Sequence, residues 1–226
     1  MADELLDLPE LVPLFPLPGV VLFPHTIIPL HIFEPRYRAM AADALAGERV
    51  LAIALLKPGW EPLYYTTRAP IHRTIGVGHI LESEQVAEGN YNVLLRGVGR
   101  AQVLEEVGER AYRVARVQPV ETYCSADDTS AGELRTALFA AIRRNPGLDP
   151  GLRRQWLRLR DAEVPLNELT DLLAAGVPGE AELRQCLLDE ADALARGQLL
   201  LDQIRVLAEI SKNMHRADLP GQHSLN

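Results

Sequence analysis

Two periodicities divide this chain. Up to about residue 120 the apolar residues fall in short alternating or continuous runs, the spacing of strands; beyond it they recur every three or four positions, the spacing of helices. The first run, Leu11 to Leu17, carries Pro13 and Pro16 and is followed by Pro18. None of the three can donate to a ladder, so this strand is expected at an edge or paired on one side only. After a turn at Pro24 and His25, Thr26 to Phe33 reads as a second strand, and Pro35 suits the first turn of a helix that stops at Gly47. Val50 to Leu56 is continuously apolar without a helical stripe, which predicts a strand buried on both faces at the centre of the fold.

Ile71 to Gln85 and Tyr91 to Gly97 flank Ala87-Glu88-Gly89-Asn90, where Gly89 and Asn90 can take the positive φ of a tight hairpin. Gly76 and Gly78 share one face of the first arm, and their missing side chains permit a sharp bend or a close approach of another backbone. Ala101 to Val107 and Ala111 to Val117 alternate around Gly108, completing some six short strands and one helix, enough for a small curled sheet. The stretch ETYCSADDTSA then has no periodicity. Helices follow at Glu133 to Arg144, from Asp149-Pro150 to about Ala162, and at Leu166 to Ala175; Glu180 to about His215 reads as one long helix with Gly197 at a bend. The expected organisation is α+β: a β-barrel subdomain over 1–120, a linker over 121–131, a helical bundle over 132–215 with one long helix, and a disordered tail over 216–226.

Two segments together carry a family resemblance. LVPLFPLPGVVLFPHTIIPLHIFEPRYRAM, Leu11 to Met40, resembles the opening of the N-terminal substrate-binding domain of the ATP-dependent protease Lon, with its proline-punctuated strand, V-x-x-P-H turn and second apolar strand. NELTDLLAAGVPGEAELRQCLLDEADALAR is similar to the Lon segment in which a short helix precedes K-Q-x-L-L-E-x-x-D-x-x-x-R: Leu169, Asp171, Leu172 and Ala174 match the first part, Gln185, Leu188, Asp192 and Arg196 the second. Arg184 replaces the basic residue, Asp189 the Glu, and Cys186 stands where a charge is frequent. The resemblance runs from about Leu11 to Ile210. It implies a pseudo-barrel of the kind shared with RNA-binding PUA domains, then a helical bundle, with Pro24, His25, Pro29, Gly76, Gly97, Gln185, Leu188, Asp192 and Arg196 in structural roles. It also implies a stand-alone bacterial form of the substrate-binding part, ending where the motor and protease parts of Lon would begin.

Composition narrows the function. The 226 residues are 47% hydrophobic and carry a formal charge of -8; the segments 1–120 and 121–226 hold -3 (11 basic, 14 acidic) and -5 (12 basic, 17 acidic). That balance argues against nucleic acid or anionic lipid as the general partner. The acidic start MADELLDLPE is unlike a secretory signal, no apolar run is long enough to span a bilayer, and Cys124 and Cys186 stand apart, so a reducing cytoplasm is expected.

No catalytic residue, metal or cofactor is assigned. There is no G-x-x-x-x-G-K-[ST] to cradle phosphates, no G-x-S-x-G turn, and only two lysines, Lys57 and Lys212, neither in the context of Lon's Ser-Lys pair. His25, His31, His72 and His79 lack an accompanying carboxylate or cysteine cluster and read as turn and surface residues. Glu82 with Glu84 and Glu105 with Glu106 read as solvated sheet positions rather than an acid–base pair.

Two stretches remain as candidates. The loop KPGWEPLYYTTRAP, Lys57 to Pro70, gathers Trp60, Tyr64 and Tyr65, which would either grip extended polypeptide or cap one end of the barrel. Arg143, Arg144, Arg153, Arg154, Arg158 and Arg160 with Trp156 form a locally basic stretch, suited to RNA, to an acidic protein partner, or to pairing with acids on the long helix. The expected function is a non-catalytic, ATP-independent module that binds unfolded polypeptide or a specific protein partner, as an adaptor or regulator of proteolysis. RNA binding and an unrecognised hydrolase are the alternatives, and a homodimer is compatible with the sequence.

Overall fold

The computed structural model describes residues 8–108 and 110–217; the tail expected to be disordered lies outside the described residues from 218 onward. In chain order the elements are β1 (Leu11–Leu17), β2 (Ile27–Ile32), α1 (Pro35–Ala46), β3 (Val50–Leu55), β4 (Thr74–Gln85), β5 (Tyr91–Glu106), β6 (Arg113–Val120), α2 (Asp128–Arg144), α3 (Pro150–Arg158), α4 (Leu166–Gly176), α5 (Ala181–Asp189) and α6 (Ala193–Ala217). They form two compact units, Met1–Tyr123 with Gly179–Ala191, and Cys124–Pro178 with Asp192–Asn226.

In the first unit the strands neighbour one another in the order β5-β4-β3-β1-β6, and β6 returns to β5, closing a five-stranded barrel with β2 attached to β5. β1 is therefore not an edge strand, the first of the two arrangements its prolines predicted. Its two pairings are staggered instead: Leu11 to Leu14 register with β6 and Leu14 to Leu17 with β3. Pro13 and Pro16 thus each face a partner on one side, where a missing N–H is tolerated. The runs expected as two strands at 91–97 and 101–107 are one strand, because β5 keeps its pairing with β4 through Gly97 and Gly99 across a register shift. The hairpin lies where expected, but Glu88 (φ 63°) and Gly89 (φ 74°) take the left-handed conformation, and Asn90 stays extended.

Burial on both faces of β3 has a simple origin. Ala52 and Ala54 point into the barrel with Val12, Leu14, Ile75, Val77, Ala101, Val103, Ala115 and Val117, where small side chains suit a narrow interior. Leu51 and Ile53 point outward into a second cluster with Phe15, Leu22, Tyr37, Met40 and Ala41, under α1. The N-terminus of α1 has Pro35 at its first position, and Gly47 ends the helix.

Gly76 and Gly97 are needed for a close approach rather than for flexibility. A Cβ on Gly76 would sit 2.0 Å from the Leu22 carbonyl oxygen, and one on Gly97 2.0 Å from that of Phe23. The main chain of Leu22 and Phe23 thus rests directly on β4 and β5. His25, with φ 65°, donates its N–H to Gly97 O at 2.9 Å, and Gly97 N–H returns to Thr26 O at 2.8 Å.

The long helix expected from Glu180 breaks, at Glu190 to Asp192 and not at Gly197. α5 ends as Arg100 donates Nε–H to the Leu188 carbonyl at 3.0 Å, and Gln185 ties it to Thr74 O at 2.9 Å, so α5 belongs to the barrel unit. α6 restarts where the Asp192 carboxylate accepts the Leu194 N–H. Burial pushes that carboxyl up, but bonds from the Ser125 hydroxyl and N–H and from Leu194, with Arg196 nearby, hold it below the usual range. Its 25 residues extend about 37 Å. Gly197 sits inside it, where a Cβ would meet Leu134 at 2.7 Å.

In the second unit α2 and α4 pack on α6, and α3 packs on α2. Asp127 caps α2 through Ser130 N–H, and Asp149 caps α3 before Pro150. Leu134, Leu138, Ile142, Trp156, Leu169, Leu173, Leu200 and Ile204 are buried there. Within this apolar setting Arg196 Nε lies 3.1 Å from Asp171 Oδ1, with side chains 0% and 2% exposed, and also donates to Thr170 Oγ1 and Asn167 O.

Two predictions follow from packing. Gly76→Ala or Gly97→Ala will destabilise the protein by about 3 kcal/mol or more in guanidinium titrations, since the clash is with backbone, whereas Gly132→Ala, with open space in α2, will stabilise it by about 0.5–1 kcal/mol. Arg196→Met alone will cost about 3–5 kcal/mol by leaving Asp171 charged and buried, and Asp171→Leu with Arg196→Met will recover much of the loss.

Candidate functional site

The loop predicted over Lys57 to Pro70 is closed at its neck by a Leu56–Ile71 bridge and by Lys57 N–H donating to Pro70 O at 2.8 Å. Inside, Glu61–Leu63 forms one 3-10 turn with Pro62 at its second position, and Thr66 Oγ1 donates to Leu63 O at 2.7 Å. Arg113, ion-paired with Glu106, donates to Ala69 O and fixes the returning arm.

These bonds bring Trp60, Tyr64 and Tyr65 together as an edge-to-face ladder, with centroids 5.2 Å and 5.1 Å apart. Tyr64 hydroxyl donates to Glu34 Oε1 at 2.8 Å; Arg36 bonds the same carboxylate and donates to Tyr64 O at 2.8 Å. The Arg36 guanidinium lies 4.4, 5.0 and 6.0 Å from the ring centres of Tyr37, Tyr64 and Tyr65. The two tyrosines of this loop differ in burial and bonding. Tyr64 is the half-buried clamp; Tyr65 is 85% exposed and stands on it.

Sequence reasoning missed Glu34 and Arg36, whose link to the loop spans some thirty positions, and Phe33, which ends the β2 segment 61% exposed. The Phe33 ring stacks on His31 at 6.0 Å, and His31 Nδ1 lies 2.7 Å from Asn92 Oδ1. Beside them Pro29, Glu82 and Glu84 line a depression of about 380 Å³ on the outer face of β2, β5 and β4. Glu82 and Glu84 share this exposed face, while Glu105 and Glu106 are taken separately by Arg116 and Arg113.

Burial, and for Tyr64 its bond to Glu34, push the Tyr37 and Tyr64 phenols up to about 12. His72 Nε2 lies 3.1 Å from Glu182, and among the described residues no group of three or more His, Cys, Asp or Glu could hold a metal ion. No described helix is long and apolar enough to cross a membrane.

In the helical unit the basic stretch does not form one surface. Arg143 and Arg160 line a groove with Arg135, whereas Arg144 lines another with Arg205 and Lys212. Arg153 donates to Asn145 O; Arg154 and Arg158 are exposed. Trp156 is 2% exposed beneath Gly176, so its ring is part of the core and does not share the surface of the arginines. The apolar spacing of α3 carries that information, since Trp156 sits opposite its charged positions.

The residues named by resemblance occupy turns and junctions. Pro24 and His25 form the turn onto Gly97, Gly76 accepts the Leu22 backbone, and Pro29 lies on β2. Gln185 and Leu188 hold α5, Asp192 caps α6, and Arg196 pairs with Asp171.

Comparison with known proteins agrees with this architecture. The family described as the ATP-dependent protease La (LON) substrate-binding domain matches residues 11–206. A Lon protease of Anaeromyxobacter dehalogenans is 29% identical over 219 residues, covering 94% of this chain and 25% of the relative, and Lon protease 2 of Myxococcus xanthus gives the same figures. The chain spans about a quarter of the length of these relatives. Among solved structures, the N-terminal domain of a Mycobacterium avium complex Lon protease superposes with a TM-score of 0.64 at 23% identity, covering 86% of this chain and 98% of that one. The Lon N-terminal domain protein of Xanthomonas campestris gives 0.60 at 23%, covering 85% and 97%.

Raised phenol values have a signed consequence. Tyr37 and Tyr64 stay protonated in the folded state above pH 10 while the unfolded chain ionises, so their contribution to stability is full below pH 10 and is lost as pH rises towards 12. Burial and its bond to Asp43 also push the Tyr112 phenol up, so ultraviolet titration of phenolate will show three of the six tyrosines ionising late, and Tyr64→Phe will remove one of them and flatten the alkaline loss of stability.

Proposed function

Because the chain belongs to the Lon substrate-binding domain family, we propose that its barrel unit captures apolar segments of unfolded polypeptide on the surface carrying Phe33, Trp60 and Tyr65. The observation that carries this reading is the 85% exposed Tyr65 on a loop that is otherwise clamped. An exposed aromatic on a mobile loop loses much of its contact energy to ordering; one held by the Glu34–Arg36–Tyr64 network is ordered before a partner arrives. Trp and Tyr also offer large contact area with few rotors to freeze, and their polar edges can bond a partner's main chain.

In this reading the chain holds and does not cleave: it is a non-catalytic, ATP-independent adaptor or regulator of proteolysis in the cytoplasm. The family match supports the holding role, since the family is described as a substrate-binding domain. RNA binding through Arg143 to Arg160 has less support, with Trp156 buried and the arginines directed to separate grooves.

The test is fluorescence anisotropy with a reduced, permanently unfolded protein as probe and its native form as control. Tyr65→Ala with Phe33→Ser should weaken binding of the unfolded probe on the order of thirtyfold, equivalent to about 2 kcal/mol, with little dependence on salt. Unchanged affinity in that double variant would remove the aromatic surface from the function.

A further inference from the structure

The groove between α2 and α3 is a second site, unlike the aromatic surface in chemistry, and we propose that it binds an acidic protein segment carrying an apolar side chain. Its cavity is about 260 Å³, lined by Arg135, Thr136, Phe139, Ala140, Arg143, Leu157 and Arg160. Three guanidinium groups around a floor of Phe139, Ala140 and Leu157 match carboxylates flanking one buried aliphatic or aromatic group.

The wall of the groove is ordered. Arg135 donates to Val164 O at 2.6 Å and to Leu159 O at 3.3 Å, and its guanidinium lies 5.6 Å from the Phe139 ring centre. It thereby ties the carbonyls after α3 to α2 and fixes the width of the cleft. Arg143 forms no ion pair among the described residues, and Arg160 has only its exposed sequence neighbour Asp161, at 3.0 Å. The acids of α6 are occupied within their own helix, Asp202 by Arg205 and Glu209 by Lys212, so the pairing expected between the arginine stretch and the long helix is not what neutralises these charges.

The geometry favours a protein segment over nucleic acid. Phosphates need a track of cations and bases need an exposed ring, but Arg144 lines a separate groove, Arg153 donates to Asn145 O, and Trp156 is buried. The net charge of -8 also repels a long polyanion, while a short acidic segment meets only the local arginines.

A short fluorescein-labelled peptide of alternating glutamate and leucine is the probe, with a lysine-for-glutamate counterpart and a single-stranded RNA of similar charge as comparisons. The full chain should bind the glutamate peptide and not the lysine one. Arg143→Glu with Arg160→Glu should weaken it on the order of tenfold, and Arg143→Gln with Arg160→Gln several-fold. Arg154→Glu with Arg158→Glu should change it by about twofold at most, and Tyr65→Ala not at all, which separates this site from the aromatic one. Thr136→Glu, an acid added at the rim without removing an arginine, should also weaken binding; unchanged helical circular dichroism establishes that each variant is folded. Equal affinity in the groove variants, equal binding of the lysine peptide, or tighter binding of the RNA at the same salt concentration would overturn the proposal.

Discussion

Leu22 and Phe23 lie with their main chain against two strands that offer no side chain at that point, and the arrangement of the barrel unit depends on this contact. Gly76 and Gly97 are the only residues that fit, because any Cβ there would fall within 2.0 Å of a carbonyl oxygen. The crossing decides where the chain goes next. His25 turns on Gly97, β2 is laid along β5 outside the closed barrel, and α1 begins over the outward-facing side chains of β3. Glu34 and Arg36 stand at the start of α1 because of that path, and from there they reach Tyr64.

Rigidity at the candidate surface is thus inherited from the barrel. The neck of the aromatic loop is bonded to the ends of β1 and β3, and its middle to the first turn of α1. Desolvation of Tyr64 and its bond to Glu34 leave Tyr65 as the residue turned outward. The helical unit uses another device, a buried Asp171–Arg196 pair whose partners lie on α4 and α6. A buried pair adds little net stability compared with apolar residues of the same size, but it disfavours any packing of those helices in which either charge lacks its partner.

Much of this was legible in the residues. Local chemistry located Pro35 and Gly47 at the ends of α1, the hairpin at Ala87 to Asn90, the doubly buried β3 and the starts of α3 and α4. Where the reading failed, the deciding partner was distant in sequence. Prolines in β1 suggest an edge, and only barrel closure with staggered neighbours explains how they sit between two strands. The apolar stripe through α5 and α6 continues across the break because periodicity does not register Arg100 taking the Leu188 carbonyl or Asp192 capping a new helix. At the candidate site the aromatic residues were visible as composition, whereas the hydrogen bonds from Glu34 and Arg36 to Tyr64 that order them join segments some thirty residues apart. Trp156 among arginines looked like a nucleic-acid motif by composition, yet helical spacing turns it inward.

Amide hydrogen exchange of the full chain, with and without a reduced unfolded protein, tests most directly whether the aromatic surface is where polypeptide is held. The account predicts slowed exchange at residues 33–37 and 60–66 when the unfolded protein is added, with none when its native form is added. Slowed exchange confined to other parts of the chain, or no change in those two segments at saturating probe, would contradict it.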